Sequence, residues 1–292
     1  MSEPTIYGQQ VPYTIAEIAD DLPSYDELLA VVCTGTGIGL VAFMSGFYLH
    51  KQSLGYQEIG EISSLSMLSD PIVSEDTGYF ESPGVKLRLT DRGDVPILVA
   101  FGPRQPASWE SHFASKALFD IMNEISDSTM MLSVGGFGVT DKEEMPEIVG
   151  RPNGAKADEY MKSHGIAKID DIQEVEGITK VLNAGQGFQA ALPMLAMKSG
   201  IPSVFFLGTA LMSHHSTTMD VDAVRHVLKK ISELSGLGLD FERIEEDLKK
   251  ETNEQRDQEK VKQKTLYALA KRFAQAGDEG QEGGLPDTNM YI

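Results

Sequence analysis

The sequence predicts an α/β domain, a mostly parallel sheet flanked by helices, and three observations carry that expectation. Short continuous apolar runs alternate with helical segments over residues 1–239, the pattern of a sheet covered on both faces. Two of those runs, 28–34 and 129–134, lead into glycines, as buried strands that turn directly into the next element often do. The chain has 292 residues, 41% of them hydrophobic, which is enough to enclose a substantial core.

In chain order, Leu28-Leu29-Ala30-Val31-Val32-Cys33-Thr34 reads as a buried strand. Residues 38–50 read as a helix, with Leu40, Val41, Met44, Phe47 and Tyr48 at helical spacing. Residues 56–62 alternate as a strand, 85–90 alternate apolar positions with Lys86 and Arg88, and 95–101 is again a buried run. The segment 109–125 is an amphipathic helix, and 129–134 is a strand running into Gly135-Gly136. A polar stretch, 140–176, then interrupts the pattern: Pro146, Pro152, Asn153 and Gly154 mark loops, and 155–164 reads as a short surface helix. Residues 178–182 read as a strand, Gly185-Gln186-Gly187 as a turn, and 188–198 as a helix in which Pro193 predicts a kink or a late start. Residues 201–207 form the last strand. A helix over 220–234 follows, with Asp220 as its cap or first-turn acid and Gly236 as its stop.

From Asp240 the character changes. Residues 240–275 are helical in composition and carry nine acidic and nine basic side chains, with no apolar residue between Lys249 and Lys260. This is a long charged helical segment with a solvated middle. Residues 276–292 hold Gly277, Gly280, Gly283, Gly284 and four acids without a base, and read as a flexible acidic tail. The expected organisation is an α/β domain at 1–239, a helical extension at 240–275 and a tail at 276–292.

Charge narrows the function. With 44 acids against 25 bases the chain carries −19, which disfavours nucleic acid and bare membrane as partners. Residues 1–84 hold twelve acids and one base, so much of that charge lies in the N-terminal third. The first residues lack the basic and apolar regions of a secretory signal. The most apolar stretch, 188–212, is broken by Pro193, Lys198-Ser199-Gly200 and Pro202 and reads as helix, turn and strand rather than a membrane span. A lone cysteine, Cys33, makes neither an internal disulfide nor a Cys-x-x-Cys metal site, and fits a reducing, cytoplasmic setting.

The first candidate site is Gly35-Thr36-Gly37-Ile38-Gly39-Leu40-Val41-Ala42. Gly37-x-Gly39-x-x-Ala42 satisfies a dinucleotide fingerprint in which backbone N–H groups at a helix start take a phosphate, and Glu58 on the next strand stands at the spacing of a ribose-binding acid. The plainer reading, a tight strand-to-helix turn, is favoured because no second phosphate anchor is visible. His214-His215 with Ser216, Thr217 and Thr218 reads as a polar capping loop rather than a metal site, and Cys33 as a small core residue. The carboxylates between Asp240 and Asp247 read as the solvated face of a charge-balanced helix. No catalytic triad, P-loop or metal constellation is apparent, so no catalytic, cofactor or metal residue is assigned.

The order of these segments resembles one family. Val32-Cys33-Thr34-Gly35-Thr36-Gly37-Ile38-Gly39-Leu40-Val41 resembles the N-terminal signature of the proteasome assembly chaperone family. Asn183-Ala184-Gly185-Gln186-Gly187-Phe188-Gln189-Ala190-Ala191-Leu192, then Gly200-Ile201-Pro202-Ser203-Val204-Phe205-Phe206-Leu207, is similar to its second glycine turn, helix and strand. The helix from Asp220, Leu237-Gly238-Leu239-Asp240 and the charged helix resemble its C-terminal part, so the likeness spans residues 25–260. It implies a three-layer fold related to nucleoside phosphorylases, no established catalysis, a homo-oligomer of archaeal type, and binding to the alpha ring of the proteasome core particle through a C-terminal hydrophobic-Tyr-x tail. By position, Met290 would be the hydrophobic member, Tyr291 the tyrosine and Ile292 the residue bearing the carboxylate. Physically, the tether supplies reach, the two bulky side chains fill a pocket, and the carboxylate pairs with a cation. The expectation is an assembly chaperone or activator-like protein without a cofactor; the alternative is a nucleotide- or phosphate-binding enzyme that uses the turn from Gly35 to Ala42.

Overall fold

The computed structural model describes residues 5–6, 9–10, 14–35, 38–51, 55–68, 72–73, 80–81, 84–143, 145–172, 188–211 and 219–250. Short strands β1 (Thr5–Ile6) and β2 (Gln9–Gln10) pair ahead of β3 (Thr14–Ile18) and the wholly buried β4 (Leu28–Thr34). A 3-10 turn, Ile38–Leu40, leads into α1 (Val41–Lys51). There follow β5 (Gln57–Ser64), α2 (Leu65–Leu68), the paired β6 (Ile72–Val73) and β7 (Phe80–Glu81), β8 (Val85–Thr90), β9 (Ile97–Gly102) and α3 (Ser111–Ile125). The second half comprises β10 (Thr129–Val139), β11 (Ile148–Pro152), α4 (Ala155–Ser163), β12 (Ala167–Lys168), α5 (Phe188–Lys198), β13 (Ser203–Leu211) and α6 (Val221–Ser235). The chain divides into two compact units, Met1–Ile244 and Glu245–Ile292, and residues 241–250 are helical.

Nine strands form one sheet in the order β12-β11-β13-β10-β4-β9-β8-β5-β3. Its centre is parallel: β4 lies between β9 and β10, and β10 pairs with β13. Beyond β9 the strands β8, β5 and β3 run antiparallel to their neighbours, and β11 runs antiparallel to β13. Helices α1 and α6 pack on one face and α3 and α5 on the other, which makes three layers. Alternation along β4 decides which side chain goes where. Leu28, Ala30 and Val32 join Leu118 and Met122 of α3 and Phe188 and Leu192 of α5 in the larger core cluster. Cys33 faces the other way, where a Cβ on Gly46 of α1 would lie 2.6 Å from it.

Three expectations change. The stretch 140–176 is not only an interruption: it supplies β11 and β12, which extend the sheet past β13, and α4 buries Ala157 and Met161. The five residues Ile148-Val149-Gly150-Arg151-Pro152 hide a strand because Gly and Pro dilute its apolar signal; Pro152 is the last residue of β11, beyond Val149 and Gly150, the positions that pair with β12. β10 runs on through Gly135-Gly136 to Val139 because its pairing with β13 continues to Leu211, and residue 136 is glycine because a Cβ there would collide with the Ile38 carbonyl of the 3-10 turn packed above it. Pro193 does not delay α5, which starts at Phe188 and contains the proline. Proline removes the N–H that would bond the Gln189 carbonyl, and the Ser133 hydroxyl of β10 donates to that carbonyl instead, at 2.7 Å. The expected strand at 178–182 and turn at 185–187 lie outside the described residues.

Candidate functional site

The sequence marks two places, the glycine turn after β4 and the Met290-Tyr291-Ile292 segment. Met290, Tyr291 and Ile292 lie outside the described residues, as do Thr36, Gly37, His214, His215 and residues 216–218. At the first place, β4 ends between two parallel neighbours with helices leaving to opposite faces, the position where open α/β sheets hold ligands.

A residue with no motif of its own occupies that crevice. Gln105, three residues after β9, donates from Nε2 to the Thr34 carbonyl at 2.9 Å, and its Oε1 accepts the Phe188 N–H of α5 at 2.9 Å. Gly35, at φ +66°, donates to the Gly102 carbonyl at 2.8 Å, and a Cβ there would lie 2.5 Å from Gln105 Cγ. The glycine therefore serves two needs, a left-handed backbone and room for the carboxamide. At the start of α5 an N–H that would otherwise point at solvent or an anion is already satisfied by the chain itself.

The loop carrying Gln105 is fixed from behind. Glu110 is fully buried; its carboxylate accepts the Ser66 N–H at 3.0 Å and the Ser66 hydroxyl, whose oxygen accepts the Ala107 N–H at 2.9 Å. This ties α2 to the entry of α3, where the helix N-terminus favours a negative group. Glu58 takes no part. It follows β4 in sequence, but β5 is separated from β4 by β9 and β8, and Glu58 is 55% exposed and pairs with Arg88 at 3.1 Å.

At the carboxyl end of β13, Asp220 gathers three partners. It caps α6 by accepting the Ala223 N–H at 3.1 Å, accepts the Leu211 N–H at 2.9 Å, and pairs with Lys142 at 2.6 Å. Burial alone would raise its pKa, but these donors outweigh it and hold the carboxyl below its ordinary value. Gly236, at φ +70°, ends α6 as expected. Cys33 is completely buried and burial pushes its thiol up, so it stays an unreactive core thiol. Among the described residues no group of three or more His, Cys, Asp or Glu is placed to hold a metal ion, and no helix is long and apolar enough to cross a membrane. The arrangement is suited to holding two strand ends and two helix starts rigidly.

A model of the PAC2 family matches residues 35–259. The fold is similar to that of PbaB from Pyrococcus furiosus, an archaeal proteasome activator, at 19% identity and a TM-score of 0.67, over 85% of this chain and 99% of that one. It is similar also to PbaA from the same organism, an archaeal homologue of proteasome-assembly chaperone, at 16% identity and a TM-score of 0.62, over 89% and 98%. A PAC2 family protein from Streptomyces avermitilis matches at 14% identity and a TM-score of 0.56, over 78% and 93%. No curated protein sequence matches the chain.

Proposed function

The chain belongs to the PAC2 family, and from that premise we propose that it is a proteasome assembly chaperone or activator-like protein that docks on the core particle through Met290-Tyr291-Ile292. One observation carries the reading: a family match over residues 35–259 is joined to a sequence that runs through an acidic, glycine-rich stretch into a hydrophobic-Tyr-x segment. The names of two structurally similar Pyrococcus furiosus proteins, an activator and a chaperone homologue, support it. The protein acts as a cytoplasmic homo-oligomer that presents several such segments at once to the alpha ring, which raises avidity without strengthening any single contact. It is not an enzyme. Closure of the crevice at Gly35 by Gln105 favours this reading over a nucleotide-binding one, since an anion would have to displace both carboxamide hydrogen bonds.

The test is co-sedimentation with purified core particles. Tyr291→Ala is expected to abolish binding, and one residue appended after Ile292 to weaken it, because tyrosine and carboxylate then fall out of register. Unchanged binding of Tyr291→Ala removes the docking role. A rise in melting temperature with nucleotide would instead favour the crevice as a ligand site.

A further inference from the structure

We propose that β3 is a docking edge: an extended basic segment of another protein adds to it as a further strand, with a lysine or arginine opposite Glu17. β3 is the last strand of the large sheet, and among the described residues it pairs with β5 alone. Its middle residues Ile15, Ala16 and Glu17 are exposed, so neither face of the strand is covered there.

The pairing pattern shows which backbone groups are open. Ala19 donates at 2.8 Å to the carbonyl of Ile59, its direct partner when the register of β3 with β5 is continued. In an antiparallel pair bonded positions alternate with unbonded ones, so Ile15 and Glu17 bond β5, whereas Ala16 and Ile18 aim N–H and C=O at the open edge. An arriving strand finds a ladder already laid out, which is how extended peptides lengthen a sheet.

Charge selects what arrives. Residues 14–27 carry Glu17, Asp20, Asp21, Asp26 and Glu27 without a base, and among the described residues none of the five has an ion-pair partner. The bases on the neighbouring elements already stand against acids. Lys116 of α3, the helix packed beside β3, pairs with Asp120, and Glu124 adds another acid to that helix. In β8, Arg88 pairs with Glu58 and Lys86 stands opposite Glu61. On one face of the sheet this leaves a row across three strands, Lys86, Glu61 and Glu17, in which the two acids oppose each other. Like charges directly opposite destabilise a pair, and a cation on the next strand restores the alternation. An acidic segment, including the β3 of a second copy, is repelled by the same row.

Fluorescence anisotropy on the full chain tests this with fluorescein-labelled Val-Thr-Lys-Thr-Lys-Thr-Val-amide, which can place Lys opposite Glu17 and Val opposite Ile15 in either strand direction. The expected result is saturable binding that weakens as salt rises and is lost when Glu replaces Lys in the peptide. N-methylation of the peptide's backbone amides keeps its charge and should weaken binding at least about tenfold. Ala16→Pro deletes an outward N–H without touching a bond to β5, so it should keep the melting temperature and also weaken binding about tenfold. Glu17→Lys should weaken it about threefold without lowering the melting temperature. No binding, equal binding of the Lys and Glu peptides, or binding undiminished by N-methylation or by a folded Ala16→Pro chain overturns the proposal. A chain lacking Met290-Tyr291-Ile292 should bind the peptide as the full chain does, so this contact and core-particle docking are read separately.

Discussion

Gln105 and Asp220 each satisfy backbone groups from elements far apart in sequence, so their loss is expected to cost more than one hydrogen bond. Asp220→Ala removes a helix cap and the acceptor for Leu211 and leaves Lys142 unmatched; a destabilisation of about 2–4 kcal/mol in urea titration is expected. The lowered pKa of Asp220 has a definite sign: its contribution is present above the ordinary aspartate range and is lost as pH falls through the lower folded value. His50 acts in a higher window. Burial first, then the nearby Arg88 and Lys86, lowers its pKa from 6.5 to about 4, so it stays neutral in the folded protein. Between those values only the unfolded chain takes up the proton, and stability should fall as pH drops through that interval. His50→Phe should remove that part of the slope in urea midpoints measured across the interval, and an unchanged slope would show that His50 is not its source.

Among the elements, the Pro193 position makes a sharper test of how α5 is built. Ser133→Ala leaves the Gln189 carbonyl buried without its donor and is expected to cost about 1–3 kcal/mol. Pro193→Ala restores the intrahelical N–H, so Ser133→Ala should cost clearly less in that background. Additive effects in the double-mutant cycle would contradict the assignment. The same positions show what a sequence reveals. β4, β9 and β13 are legible because strands buried in the sheet are continuous apolar runs, and α6 because Asp220 and Gly236 punctuate it. β11 is not legible, since five residues with Gly and Pro carry no period. The glycine turn is visible as a turn, but its occupant is not: a single glutamine in a loop makes no pattern, and its partners Thr34 and Phe188 lie 71 and 83 residues away in sequence. Glu58 misleads for the complementary reason, because adjacency in sequence is not adjacency in the sheet.

For the whole molecule, the net charge of −19 gives the proposed docking a salt dependence that can be measured. Docking by a segment that carries four acids and no base toward cationic pockets should weaken with salt, through its association rate. The central claim is that a PAC2-family body carries the Met290-Tyr291-Ile292 segment to the core particle, and the most direct measurement is a pull-down of purified core particles with the full chain and with a chain lacking those three residues. The full chain should be captured and the shortened one lost, with the same sedimentation and the same melting temperature for both. Equal capture of the two would contradict the account and move the contact to the body of the protein.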